Sequence, residues 1–182
     1  MRLIICFLSV LILSSAKAQF SYRQIIQGKA EILFTRKPQH QFIEKRHTFL
    51  QDIYKVTNGI VEYQVDSKTY SPEEKLKLDA GDLPSFYSKY VKKSVSKVKG
   101  KLNAKAELEI KGLKWIEFDF TYKVNDVPRH VYRRAIFFNR TFIAIDFITL
   151  NSTTLQDADS RNTFFEGFEI TDEEAAVIQS AE

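Results

Sequence analysis

Residues 127–150 read VPRHVYRRAIFF, Asn139-Arg140, TFIAIDFITL, and the fold turns on how this stretch is read. Two apolar runs flank a dipeptide short enough to be a two-residue hairpin turn, and asparagine tolerates the left-handed backbone that such turns need. The strings IFF and FIAIDFI are nearly continuous instead of alternating, so both strands are expected to be covered on both faces.

A two-residue turn also sets a register. Placed at Asn139-Arg140, it pairs Phe138 with Thr141, hence Ile136 with Ile143, Ala135 with Ala144 and Arg133 with Asp146. Upstream, KWIEFDFTYKV ends at Asn125-Asp126; a turn there pairs Val124 with Val127, Phe118 with Arg133 and Glu117 with Arg134. Side chains alternate between the two faces of a strand. One face then holds Ile116, Phe118, Phe120, Val131, Ala135, Phe137, Phe142, Ala144 and Ile148, with Arg133 and Asp146 in their midst. A lone buried carboxylate is costly, whereas a bidentate Arg–Asp pair is tolerable. The pair reads either as a satisfied internal ion pair or as a ligand clamp. The opposite face carries Trp115, Glu117, Asp119, His130, Tyr132, Arg134, Ile136, Ile143 and Ile145. Its polar end, nearest Asn125, reads as the lining of a pocket or as surface salt bridging. The candidate ligand- or partner-binding residues are therefore Arg133, Asp146, Arg134, Glu117 and His130.

Working outward, Met1-Arg2, an apolar run over residues 3–13 and Ser15-Ala16-Lys17-Ala18 have the layout of a cleaved export signal. Residues 1–18 are expected to be removed, because the run falls short of the roughly 20 apolar residues a spanning helix needs. The one cysteine, Cys6, lies inside that signal. The mature chain then has no disulfide, thiol nucleophile or thiolate metal site. The expected location is the periplasm or the extracellular space. Residues 19–170 are read as one domain and 171–182 (TDEEAAVIQSAE) as an acidic tail. A domain of about 160 residues buries roughly 68–70% of its unfolded surface, enough to stand without staples.

The formal charge is +4; without Arg2 and Lys17, 25 basic residues face 23 acidic ones, a net of +2. The basic excess is local, over residues 89–101, and the acidic excess lies over residues 166–182. That split argues against a nucleic-acid partner. No membrane-surface contact is expected beyond export.

The other elements follow from periodicity and turn residues. KAEILFTR (29–36) reads as a strand closed by Pro38. HTFLQDIYKVT (47–57) and IVEYQVDSKTY (60–70) read as a hairpin joined by Asn58-Gly59. A helix follows, with Asp82 as N-cap, Pro84 in the first turn and Gly100 as the stop. Leu83, Phe86, Tyr87, Tyr90, Val91, Ser94, Val95 and Val98 share its inner face, while Lys89, Lys92, Lys93, Lys97 and Lys99 fill the other side, which reads as a solvated helix back ahead of a face for an anionic surface. AKAELEI (104–110) leads through Lys111-Gly112 into the meander. A second helix over residues 153–166, capped by Asn151, turns Leu155, Ala158, Phe164 and Phe165 inward. Antiparallel neighbours with helices segregated in sequence imply an α+β fold: a three-layer αβα sandwich around a twisted, mainly antiparallel sheet.

Motifs for catalysis are absent. His40, His47 and His130 are the only histidines, and none stands in an HExxH or HxH pattern. There is no G-x-S-x-G, Walker-type loop or dinucleotide-binding glycine pattern, so the expectation is a non-enzyme without metal or cofactor. A dispersed triad would leave no such trace. Asn139-Arg140-Thr141 and Asn151-Ser152-Thr153 match the glycosylation acceptor.

The C-terminal part resembles a family. A basic strand (Arg133, Arg134), the turn region Phe137-Phe138-Asn139-Arg140, an apolar return strand and the helix end Phe164-Phe165-Glu166-Gly167-Phe168 are similar to the PsbP-like superfamily. That family includes the extrinsic PsbP protein of photosystem II, nuclear Ran-binding relatives and bacterial envelope proteins such as DcrB. Gly167 stands where serine is usual. The resemblance implies an αβα sandwich and non-catalytic accessory or partner-binding work, and it carries over no particular binding residue. The leading expectation is an exported accessory module that binds another protein. The alternatives are a carrier of a small apolar or anionic ligand held between sheet and first helix, and a hydrolase with a dispersed triad.

Overall fold

The structure is a computed structural model that describes residues 20–45, 48–72, 82–150 and 155–171. The expected signal peptide, Arg46-His47, the Asn151 cap and residues 172–182 of the tail lie outside the described residues.

The elements are, in order, β1 (Tyr22–Ile26), β2 (Ala30–Phe34), β3 (Gln39–Lys45), β4 (Phe49–Thr57), β5 (Val61–Tyr70), α1 (Leu83–Lys97), β6 (Lys101–Ile110), β7 (Leu113–Val124), β8 (Val127–Phe138), β9 (Thr141–Thr149), α2 (Leu155–Glu166) and β10 (Phe168–Ile170). Seven strands form an antiparallel sheet in the order β3-β4-β5-β9-β8-β7-β6. β1, β2 and β10 form a second, three-stranded sheet. The fold is the expected α+β sandwich. α1 covers one face of the large sheet, and α2 with the small sheet covers the other.

The hairpin register is the one its turns demand. Arg133 stands opposite Asp146, Ile136 opposite Ile143 and Glu117 opposite Arg134. Asn125, Asp126, Asn139 and Arg140 all have positive φ, between 40° and 63°, which is the two-residue turn whose twist matches the strands. Every residue of β9 is buried. Ile116, Phe118, Phe120, Val131, Ala135, Phe137 and Phe142 pack under α1, while Trp115, Ile136, Ile143 and Ile145 join Phe34, Phe164 and Phe165 on the other side.

Four expectations change. The β4–β5 turn is centred on Gly59-Ile60, one residue later than Asn58-Gly59. Only Gly59 is left-handed, at φ 91°, while the Asn58 side chain accepts the backbone N–H groups of Ile60 (3.1 Å) and Val61 (2.8 Å). Asn58 acts as a side-chain cap because its short amide can reach two residues ahead. Asp82 makes no side-chain cap on α1. Lys99 (φ 52°), not Gly100, takes the left-handed position after the helix. Gly100 is needed for space instead, since a Cβ there would lie 2.9 Å from the Thr121 carbonyl oxygen. Lastly, Pro38 does not end strand structure: β3 resumes at Gln39 as an edge strand pairing with β4, and β1 precedes β2 through a Gln27-Gly28 turn with φ of 49° and 68°.

A polar cluster ties the small sheet to the large one. Gln27 donates to Asp52 (2.7 Å) and accepts from the Thr69 hydroxyl; Thr69 meets Thr141 (2.9 Å), which accepts from the Lys29 ammonium (2.9 Å). Polar atoms withdrawn from water keep partners here, as burial requires.

Candidate functional site

The expected candidate residues separate onto the two faces of the sheet. Arg133 and Asp146 lie beneath α1. The guanidinium contacts both carboxylate oxygens at 2.5 Å and donates to the Tyr90 hydroxyl (3.0 Å) and Ser94 Oγ (3.1 Å). Asp146 is 1% exposed and Arg133 17%. The rings of Tyr90, Phe118 and Phe120 lie 5.7–5.9 Å from the guanidinium carbon. Burial alone would lower the Arg133 pKa, but the Asp146 charge and hydrogen bond, with Tyr90 and Asp66, together outweigh it and the net direction is upward. Beside the pair, the carboxyl of Asp66 is pushed up, first by burial, with the Gln51 hydrogen bond acting the other way and the Asp146 charge adding to the rise. The Tyr90 hydroxyl is also pushed up by burial. Bidentate pairing plus two hydroxyl acceptors occupies Arg133, and the Tyr90, Phe118 and Phe120 rings pack beside it. Among the described residues, the pair is buried and held by Tyr90 and Ser94.

Arg134, Glu117 and His130 lie on the other face, where β6, β7, β8 and α2 enclose a groove of about 240 Å³. Arg134 donates to Glu117 through Nη2 (2.7 Å) and Nε (3.0 Å), and its guanidinium lies 4.9 Å from the Phe165 ring centre. His130 Nε2 is 2.6 Å from Asp119 Oδ2, and its ring stacks on Tyr132 with centroids 4.1 Å apart. Asn103 also donates to Asp119 (2.9 Å). Arg161 of α2 lies over the other part of this assembly, 4.4 Å from the Tyr132 ring centre. The strand period places Glu117, Asp119, His130, Tyr132 and Arg134 on one face. The groove's outer rim is β6, an edge strand whose Ala104 and Ala106 stand opposite Asp119 and Glu117. Two alanines leave the floor open where larger side chains would fill it.

Sequence reading put Glu117, Asp119, Tyr132 and Arg134 on this face but missed Arg161 and Phe165, which line the groove from α2. Arg161 and Phe165 are four apart on α2, so one helix face delivers both. That spacing was legible, but nothing local says the face meets Tyr132.

No histidine–hydroxyl pair occurs among the described residues. His130 meets Asp119, Asn103 and Tyr132, and His40 meets Asp52 (2.6 Å) and stacks on Tyr54; neither ring is hydrogen-bonded to a serine or threonine hydroxyl. His47 lies outside the described residues. No group of three or more His, Cys, Asp or Glu suited to a metal ion occurs among the described residues. Nor is any described helix long and apolar enough to cross a membrane.

Known structures share the architecture. The solution structure of cyanobacterial PsbP from Synechocystis superposes with a TM-score of 0.56, covering 82% of this chain and 91% of that one at 14% identity. The chain has a PsbP-like fold. LpqN, a protein of Mycobacterium tuberculosis involved in cell envelope biogenesis, covers 78% of this chain and 83% of its own at 12% identity and a TM-score of 0.45. No family profile and no curated protein sequence matches the chain. In this PsbP-like fold the last strand, β10, pairs with β2, so the Phe164-Phe165-Glu166-Gly167-Phe168 segment quoted for the resemblance closes the small sheet.

Proposed function

We propose that the protein is an exported, non-catalytic accessory module that binds a segment of another protein in the groove between β6–β8 and α2. The observation that carries this reading is the groove's make-up. Two arginines, a histidine and two carboxylates surround Tyr132 and Phe165 beside the unpaired edge of β6. An edge strand offers backbone donors and acceptors to an added strand, and alternate side chains then enter whatever lines the adjoining face. About 240 Å³ is below the usual 300–1,000 Å³ of a small-molecule pocket, which favours a peptide segment over a carried ligand. The Arg134–Glu117 and His130–Asp119 pairs suit an occupant with its own carboxylates or amides, which can exchange with the acid that each of these side chains already holds. Export rests on the leader-like sequence of residues 1–18, and non-catalytic work on a histidine that meets a carboxylate without a nucleophile.

The test is affinity capture from the compartment the protein occupies, comparing the wild type with Arg134→Ala, Arg161→Ala and Ala104→Trp. Ala104→Trp fills the floor beside the β6 edge. A partner retained by the wild type and lost with all three folded variants supports the reading. No partner above background at any salt concentration, or one retained equally by the groove variants, refutes it.

A further inference from the structure

The solvated back of α1 is unusually one-sided. From Leu83 to Ala106 the chain carries Lys89, Lys92, Lys93, Lys97, Lys99, Lys101 and Lys105 and no acidic residue. All seven are exposed, and none is in an ion pair among the described residues. A helix back that needs only solubility mixes both signs, since Glu–Lys neighbours stabilise it and like charges repel.

A second observation points the same way. β4, β7 and β9 end, and β5, β6 and β8 begin, at one end of the sheet, and α1 reaches that end through Val98-Lys99-Gly100. Ile60 of the β4–β5 turn, Leu102 at the start of β6, and Val124 and Val127 flanking the β7–β8 turn all lie there, each at least 40% exposed. Scattered exposed aliphatics need no explanation, but four at the tips of one end, beside Lys97, Lys99 and Lys101, do. Asp126, between the two valines, is the acid nearest these tips in sequence. The chain also enters the described fold at this end. Phe20 packs on Tyr63 (5.3 Å), two residues past the start of β5, and Ser21 bonds the Phe34 carbonyl.

We infer that this end of the sandwich, with the adjoining lysine face of α1, docks on an anionic phospholipid surface. Lysines supply the long-range attraction to anionic headgroups, and short aliphatic tips enter the headgroup boundary. Neither term alone holds a domain; together they make reversible, salt-sensitive attachment. Docked this way, the peptide groove, on the α2 face, stays open to a partner. The inference does not rest on what the groove binds, and it replaces the sequence-based expectation of no surface contact.

The test is vesicle flotation of the chain as processed on export, with phosphatidylglycerol-containing or pure phosphatidylcholine vesicles. Variants share the same N-terminus, so any leader contribution cancels. Lys93→Gln/Lys97→Gln/Lys99→Gln changes only exposed side chains. It should lower partitioning onto anionic vesicles by ~100-fold, at ~5-fold per lysine. Leu102→Ser/Val124→Ser/Val127→Ser should lower it without altering the salt slope, and ~0.5 M salt should release the wild type. Equal partitioning of the wild type and the glutamine variant overturns the inference, as does equal binding to uncharged vesicles. Binding to polyglutamate but not to vesicles would assign the face to an acidic polymer and overturn it too.

Discussion

Removing Asp146 tests the reading of the buried pair most directly. Asp146→Ala leaves Arg133 charged beneath α1, with Tyr90 and Ser94 as its remaining side-chain hydrogen-bond partners. Breaking a buried pair from one side costs about 3–5 kcal/mol, because the surviving ion keeps its desolvation penalty and loses its counter-charge. For a domain of this size that is a fall in Tm of roughly 6–20 °C. Exposure decides which regime applies: at 1% and 17% exposed, the partners are far from the solvated pairs that contribute about 0–1 kcal/mol. Replacing both, as Arg133→Met with Asp146→Leu, removes the charges together. It should return stability to within about 1–2 kcal/mol of the wild type, the remainder being the two orphaned hydroxyls. Urea denaturation of wild type, both single variants and the double variant closes the cycle, with a coupling of several kcal/mol expected. If Asp146→Ala costs less than about 1 kcal/mol, the pair is solvated and the sealed-core reading is wrong.

Asp66→Asn should stabilise the protein at neutral pH. The folded carboxyl titrates above its unfolded value, so between the two values the folded state holds the extra proton and stability falls as pH rises. The variant's advantage should shrink toward zero below that window in pH-dependent denaturation, and an advantage independent of pH would contradict burial as the cause. Tyr87→Phe should cost about 1–3 kcal/mol in the same assay, because the Tyr87 hydroxyl, itself pushed up to about 12 by burial, donates to the Lys114 carbonyl (2.8 Å) and accepts from the Phe137 N–H (3.1 Å). Gly100→Ala should cost about 1–3 kcal/mol by overpacking against the Thr121 carbonyl, whereas Lys99→Gly, which relieves a positive φ, should gain about 0.5–1 kcal/mol; the opposite order would restore Gly100 as the conformational stop.

Local rules by themselves determined the β7–β8–β9 meander. Two-residue turns at Asn125-Asp126 and Asn139-Arg140 fix which residues oppose, and the period of two then fixes the faces, so Arg133 meets Asp146 and Glu117 meets Arg134 without reference to the rest of the chain. The helix face of α1 follows from its 3.6-residue period in the same way. Where a side chain can substitute for a backbone conformation, local reading slips by a residue, as at Asn58. Tertiary structure decided everything that joins distant segments. β3 is polar and largely exposed, so only its pairing with β4 makes it a strand. β10 is three residues long and exists because β2, more than 130 positions earlier, offers it an edge. The groove needs Arg161 of α2 to meet Tyr132 of β8, and the basic end needs the β4–β5 and β7–β8 turns to converge with the α1–β6 junction. A periodic pattern records which way a side chain faces; it holds no record of which distant element will stand opposite, because that choice is made by burial of the whole core.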